Sequence, residues 1–308
     1  MEFFEQIIEN PGFFLEVVLG GLMAGVLYSL VALGFVLIFK ASGVFNFAQG
    51  AMVLFAALSL VRMMEVMPFA LAFILACAIM VAVAFAIERL VLRPLVNQEG
   101  IILFMATLGI AFFLDGFGQT VWGSDIYTLE LGVPKDGLFI LESIFDGGVL
   151  VNKLDIFAAA VAGALVVALA VFFQKTKTGL ALRAVADDHQ AAQSIGVPLN
   201  YIWLIVWAVA GFVALVAGMV WGAKLGVQFS IALIALKALP VLILGGFTSV
   251  PGAIVGGLII GVGEKVSEVY LGPVLGGGIE NWFAYMLAMI FLLFRPQGLF
   301  GEKIIERV

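Results

Sequence analysis

The chain has 308 residues, of which 64% are hydrophobic and 12% charged, with a net charge of −6 at pH 7 and a mean hydropathy of +1.20. A soluble domain carries about 25% charged residues, so this chain has too little polar surface to cover a water-exposed globule. The same numbers exclude disorder, a disulfide scaffold, since there is one Cys, and a nucleic-acid binder, which needs a basic excess.

What remains is a polytopic membrane protein. The apolar runs are long and unbroken rather than alternating over about ten residues, so they are read as helices and not as barrel strands. In chain order the stretches are 13–39, 48–64, 67–87, 101–122, 155–174, 200–223, 229–245, 252–270 and 280–294. The expected fold is therefore all-α, with eight to ten transmembrane helices and nine favoured, in one transmembrane domain over 1–308. Several stretches fall short of the roughly 20 residues that a full crossing needs. This predicts broken or re-entrant helices around 40–47 and 246–251. The acidic start (Glu2, Glu5, Glu9) speaks against a cleavable signal peptide, which begins basic.

Enzyme chemistry finds little material. The one imidazole is His189, in a polar stretch, and the one thiol is Cys77, in an apolar run, so no zinc site is expected. The sequence has no GxxxxGK[ST] phosphate loop, so any ATP is hydrolysed by another chain.

Lys and Arg orient the spans. With nine spans, one side holds nine bases (Lys40, Arg89, Arg93, Lys175, Lys177, Arg183, Arg295, Lys303, Arg307) and the other five (Arg62, Lys135, Lys153, Lys224, Lys265). The first side is read as cytoplasmic, which places the N-terminus outside and the C-terminus inside. Two loops are then long. Residues 123–154 lie outside and carry Asp125, Glu130, Asp136, Glu142 and Asp146, either as a solvated acidic loop or as a docking surface for an extracytoplasmic partner. Residues 175–199 lie inside and read as a helix opened by Thr178 or Gly179 and ended by Gly196 and Pro198. Leu180, Ala184, Ala191 and Ile195 form an apolar stripe on it, while Asp187, Asp188, His189 and Gln190 make its middle polar. Anionic lipid would repel those acids, so a protein partner fits better than the membrane surface.

Charges inside spans are costly and point to function. Lys237 and Asp115 are such charges, pairing with each other or facing an adjacent subunit. Glu264 and Glu268, a turn apart, read as a solvated helix end. Gly21-x3-Gly25, Gly252-x3-Gly256 and Gly257-x3-Gly261 form small-residue ridges that permit close helix approach, within the chain or against a second subunit. Pro240 removes a backbone hydrogen bond in the seventh span and should kink it. A hint of a parallel internal repeat relates Val36–Ala51 to Val241–Ala253.

Five segments, in order, resemble LivH-type permeases of the branched-chain amino acid ABC importers. They are GGLMAGVLYSLVALGFVLIFKASGVFNFAQGAM, whose end carries the Asn46-Phe47-Ala48-Gln49-Gly50 motif; IERLVLRPL from Ile87; TKTGLALRAVADDHQAAQSIGV; ALKALPVLILGGFTSVPGAIVGGLIIGVGE from Ala235; and RPQGLFG from Arg295. The third also resembles the importer E-A-A-x-x-x-G pattern, as Gln190-Ala191-Ala192-Gln193-Ser194-Ile195-Gly196, with Gln in place of the first Glu.

The resemblance implies an ABC importer permease fold in a bacterial inner membrane, with no cofactor on this chain. The partners it implies are a homologous second permease, two ATPase subunits that carry ATP and Mg, and a periplasmic substrate-binding protein. It assigns ATPase coupling to Arg183, Asp187, Asp188, His189, Gln190, Ala191, Ala192 and Gly196. Asn46 and Gln49 are read either as stitching broken backbone or, with Lys237 and Ser249, as lining the substrate path or gate. Branched-chain or related amino acids are the expected cargo, with urea, short amides or small carboxylates as alternatives. An ATP-independent secondary transporter is disfavoured, because Asp115 is the one acidic residue read as lying mid-span.

Overall fold

The computed structural model describes residues 10–95, 98–145, 147–187 and 189–301. Helix α1 spans Pro11–Ser42, α2 Gln49–Met64, α3 Phe69–Ala86 and α4 Gly100–Trp122; α3 continues through a π-helical turn, Ile87–Leu92, and a 3-10 turn, Arg93–Leu95. Strands β1 (Gly137–Ile140) and β2 (Val149–Asn152) precede α5 (Lys153–Lys175), α6 (Lys177–Asp187), α7 (His189–Ser194) and α8 (Leu199–Leu225). A 3-10 turn, Phe229–Leu233, leads into α9 (Ile234–Gly245), followed by α10 (Val250–Leu275), a 3-10 turn at Ile279–Asn281 and α11 (Phe283–Phe294).

Each of the nine expected stretches is helical. Six of the helices, from 23 to 32 residues long, are long and apolar enough to cross a membrane. At 1.5 Å per residue even the shortest covers about 35 Å, against a hydrocarbon core of about 30 Å. Gln49–Met64, Phe229–Gly245 and Phe283–Phe294 are shorter apolar helices. The breaks fall where the short spans predicted them, between Ser42 and Gln49 and between Gly245 and Val250.

The chain forms two compact units. One comprises Leu30–Glu130 and Leu165–Leu236. Its centre is α2, whose residues Gln49 to Val61 are all buried, packed against α3, α4 and α8. Lipid is as apolar as leucine, so helix association here rests on close contact rather than on a hydrophobic gain. Small residues allow that contact: a Cβ on Gly218 of α8 would lie 2.5 Å from the Val53 carbonyl oxygen of α2, and one on Gly211 3.3 Å from Met80 of α3. A short helix enclosed on every side needs no length of its own to cross.

The other unit comprises residues up to Ser29, Leu131–Ala164, and the chain from Lys237. The glycine ridges meet each other here, within the chain. A Cβ on Gly25 of α1 would stand 2.6 Å from the Gly257 oxygen of α10, and one on Gly21 2.6 Å from Val262 Cα. Ser29 stitches the crossing, its hydroxyl set 2.8 Å from the Gly25 carbonyl oxygen and 3.2 Å from that of Ile254. Gly252 and Gly256 pack against the end of α9, closing the α9–α10 hairpin. Helix α9 runs through Pro240.

The stretch 123–154, read from sequence as loop, holds an antiparallel hairpin in which Gly137 faces Asn152 and Ile140 faces Val149. Gly147 and Gly148 take left-handed conformations (φ 90° and 70°) at its turn. Glu16 of α1 accepts from the Leu150 amide at 3.1 Å, tying this strand to the helix. Two four-residue strands leave almost no period-2 signal in a sequence this apolar, so the all-α expectation gains a small hairpin.

The IERLVLRPL segment buries Glu88 at 1% exposure in the π-helical turn. Arg93 Nε and Nη2 each donate to Glu88 Oε1 at 3.1 Å. Arg93→Met would leave that carboxylate buried without its partner, at a cost of about 3 kcal/mol, seen as a lower thermal midpoint in detergent. Glu88→Gln in the same chain should recover part of the loss.

The glycine crossing makes a sharper test. Gly257→Val drives a branched side chain into the Gly25 carbonyl and should cost about 1–3 kcal/mol. At Gly20, one residue from the ridge, a Cβ meets nothing within 4 Å. Gly20→Ala should therefore be neutral or stabilising by up to about 1 kcal/mol, and the two melting curves should separate in opposite directions.

Candidate functional site

The cytoplasm-assigned segment 175–199 is helical on both sides of Asp188, which itself lies outside the described residues, as do the side chains of Asp187, His189 and Gln190. The opening differs from expectation by a few residues. Thr176, rather than Thr178 or Gly179, opens α6: its hydroxyl accepts from the Gly179 amide at 2.9 Å. Gly179 packs onto the Phe172 and Phe173 carbonyls of α5, and Arg183 Nη2 donates to the Gln174 carbonyl at 3.4 Å. These contacts fasten α6 to the end of the preceding span. Gly196, at φ 91°, closes α7, with the Val197 amide bonded to the Ala192 carbonyl at 3.0 Å.

The burial of this segment has two faces. Leu182, Val185 and Ala192 are buried, whereas Leu180 is 61% and Ile195 77% exposed, with Ala191 exposed beside them. The apolar stripe read from sequence thus points outward, except for the half-buried Ala184.

The break between α1 and α2 is stitched by side chains. Asn46 and Gln49 are both fully buried. Asn46 Oδ1 accepts from the Ala48 amide at 3.0 Å, and its Nδ2 donates to Gln49 Oε1 at 3.3 Å. Thr107 of α4 accepts from the Phe47 amide at 3.3 Å and donates within the same knot, lying 3.1 Å from the Phe45 carbonyl oxygen. Gln49 sits directly against Gly34, where any Cβ would collide with its amide. Gln49 Nε2 has no hydrogen-bond partner among the described residues. Thr107 was not singled out in the sequence: one Thr in an apolar span carries no signal of its own.

The α9–α10 break is built differently. Ser249 caps α10, accepting from the Gly252 amide at 3.0 Å. Gly246 (φ 104°) turns the chain out of α9, and the RPQGLFG segment returns to it. The Leu299 amide bonds the Leu244 carbonyl at 2.8 Å and the Phe300 amide bonds that of Gly245 at 3.1 Å. The last carbonyls of α9 are therefore satisfied by chain some fifty positions further on, which unites two motifs that the sequence shows only as separate.

The intramembrane charges also differ from expectation. Asp115 Oδ1 is enclosed without a hydrogen-bond partner among the described residues. Glu264 is no solvated helix end: it is 2% exposed, accepts a hydrogen bond from Tyr28 of α1, and leaves Oε1 without a partner among the described residues. Burial follows from its neighbours, since Gly257, Gly261 and Gly263 offer no side chains to hold α1 and Phe283 away. Glu268, one turn on, does serve the helix end, accepting from the Gly278 and Glu280 amides at 3.0 Å each.

Residues 17–295 match the family described as branched-chain amino acid transport system, permease component. The chain is 29% identical over 307 residues to the high-affinity branched-chain amino acid transport system permease protein BraD of Pseudomonas aeruginosa, covering 96% of this chain and 98% of that one. It is 28% identical over 318 residues to the corresponding LivH protein of Salmonella typhimurium, with the same coverage. Among solved structures, PsaBC from Streptococcus pneumoniae in complex with Fab aligns over 95% of this chain and 94% of its own at 14% identity and a TM-score of 0.46. With 279 consecutive residues (17 to 295) matched, and with the motifs around Asn46, Glu88, Gly196, Ser249 and Gly298 each forming a defined structural device, the chain belongs to the permease-component family of branched-chain amino acid transport systems.

Proposed function

We propose that this permease moves branched-chain amino acids inward by alternating access, paired with a homologous permease and driven by two ATPase subunits that carry the ATP and Mg. A substrate-binding protein delivers the solute to the acidic outer face, which includes the 123–154 segment. The N-terminus lies outside and the C-terminus inside. The observation that carries this reading is the segment around α6 and α7. It is fastened to α5 through Thr176, Gly179 and Arg183, closed by Gly196, and yet it turns Leu180, Ala191 and Ile195 outward. An apolar stripe on a water-facing loop is costly to leave bare and suits a cleft on a partner. A rigid root and a sticky face are what a coupling element needs: the partner's closure must reach the spans without being absorbed by a flexible loop.

The charges agree with a net-neutral cargo. The described part of the spans shows no dense ring of one sign, and the groups at the two breaks are amides, hydroxyls and backbone. Asn46 and Gln49 act on the path through the backbone they hold, and Ser249 through the start of α10.

Leu180→Asp and Ile195→Asp change exposed side chains, so membrane insertion and melting should be preserved. Each should weaken ATPase docking by about 2 kcal/mol, read as ATPase chains lost on co-purification and as a fall in uptake. Gly196→Pro forces a residue fixed near φ −65° into a left-handed position, and should uncouple ATP hydrolysis from uptake while the chain still inserts. Unchanged uptake in all three variants would sink the coupling role. The cargo is tested by mass spectrometry of the ligand that co-purifies with the partner binding protein: leucine, isoleucine or valine is expected, and urea, an amide or a carboxylate would reassign it.

A further inference from the structure

Helices α3 and α4 both pack on α2, yet they hardly meet each other before the π-helical turn. The wedge between them is a groove of about 650 Å³ floored by Phe55 of α2. Small residues keep it open: Ala86 lines one wall and Gly109 the other, and a Cβ on Gly109 would meet nothing within 4 Å. Leu90 and Phe113 on its rims are 72% and 64% exposed, so the groove opens sideways. Its lining is apolar throughout. Along α3 it runs from Ile79 to Leu90, about 17 Å at 1.5 Å per residue. One leaflet of a bilayer core is about 15 Å deep. The groove thus covers one leaflet, from the middle of the 27-residue apolar span Phe69–Leu95 to its basic end.

A gap of this size at membrane depth is costly to leave empty, because its lining loses its contacts, and walls without polar atoms give water nothing to bond. Hydrocarbon fits it. Hydrocarbon alone carries no selectivity, since lipid tails are as apolar as the walls; the selecting group stands at the end of the groove. In the π-helical turn Glu88 is buried and spent on Arg93, while Arg89, next to Leu90, is exposed. The Arg89 guanidinium lies 5.7 Å from the Phe85 ring centroid and forms no ion pair with a described residue. Its five donors sit in a fork that matches a phosphate. Glu99, the acid on the facing helix, precedes the first turn of α4 and lies outside the groove. We propose that the groove holds an acyl chain of an anionic phospholipid whose phosphate is bound by Arg89. The orientation proposed above makes this the cytoplasmic leaflet; the binding itself needs neither the cargo nor the ATPase partners. The lipid chain fills the wedge that α3 and α4 leave over α2, and so ties the lipid-facing wall of this unit to its enclosed helix.

The test uses the full chain with the subunits that purify with it in mild detergent, to which phosphatidylglycerol or phosphatidylcholine of identical acyl chains is added. Retained lipid is counted by native mass spectrometry, and the thermal midpoint is followed over lipid concentration. Phosphatidylglycerol should be retained, should raise the midpoint, and should half-saturate at about tenfold lower concentration than phosphatidylcholine, the worth of one charged hydrogen bond. Arg89→Gln should bring phosphatidylglycerol to the phosphatidylcholine level, and Arg89→Lys should keep part of the preference. Gly109→Leu grows into the groove where nothing blocks it, so the chain should fold, and retention of both lipids should drop. Lys175→Gln removes an exposed cation at the end of α5, outside this groove, and should change neither.

Equal affinity for the two headgroups in the wild type, or an Arg89→Gln chain that keeps the preference, overturns the role of Arg89. Unchanged retention in Gly109→Leu shows that lipid binds elsewhere and overturns the groove. A loss in Lys175→Gln as large as that in Arg89→Gln shows a general attraction of bases for anionic lipid and overturns both. Lipid held by the chain purified alone but absent from the complex shows that a second subunit covers the groove, and overturns the proposal as well. If Gly109→Leu fails to fold, Arg89→Gln and Arg89→Lys, which change an exposed side chain, still decide whether the headgroup is bound here.

Discussion

The constraint on which this structure depends is that a backbone polar group inside a bilayer has no water to fall back on. An unbroken helix meets it without help. This chain breaks its helices twice, after Ser42 and after Gly245, and each break sets free amides and carbonyls that cost several kcal/mol apiece if buried and left bare. The first is repaired by side chains: Asn46 holds the Ala48 amide, and Thr107 holds both Phe47 and Phe45. The second is repaired by backbone: Leu299 and Phe300 supply the amides that α9 lacks after it ends. The shared purpose explains why the short polar motifs sit where they do, surrounded by residues that have nothing to offer a stranded carbonyl.

Repair in turn demands closeness. A side chain as short as Asn or Thr reaches only its immediate neighbours, so the helices around each break must approach until backbones nearly touch. Gly34 gives way to Gln49, Gly50 to the Ala232 carbonyl, and Gly245 and Gly252 to each other. The same closeness buries Glu264. Helices held apart by larger residues would leave room for water around that carboxylate, and it would behave as the solvated helix end that its sequence position suggests. The burial of Glu264 is thus a consequence of the glycine packing and would not survive its loss.

The sequence makes the spans legible because length and hydropathy act locally: every apolar stretch became a helix, and both breaks fell at the short ones. The helical segment before Gly196 was legible to within a few residues for the same reason, since Gly196 and Pro198 stop a helix by their own backbone properties. What escaped is whatever depends on distant chain. Thr107 matters because α4 lies beside the first break, and RPQGLFG matters because it folds back on α9. Glu264 was misread since its burial is decided by α1, more than two hundred positions earlier. The direction of the α6–α7 stripe was hidden as well, because a helical period gives a face and not what that face meets.

A transporter has to be rigid where force enters. The segment proposed to meet the ATPase is rooted by backbone contacts that cannot stretch, Gly179 against two carbonyls and Arg183 against a third, so a pull on Leu180 and Ile195 would be carried into α5 with little loss. The same economy of side chains works in the other unit, where glycines let α1, α10 and Phe283 crowd around one glutamate and hold water away from it.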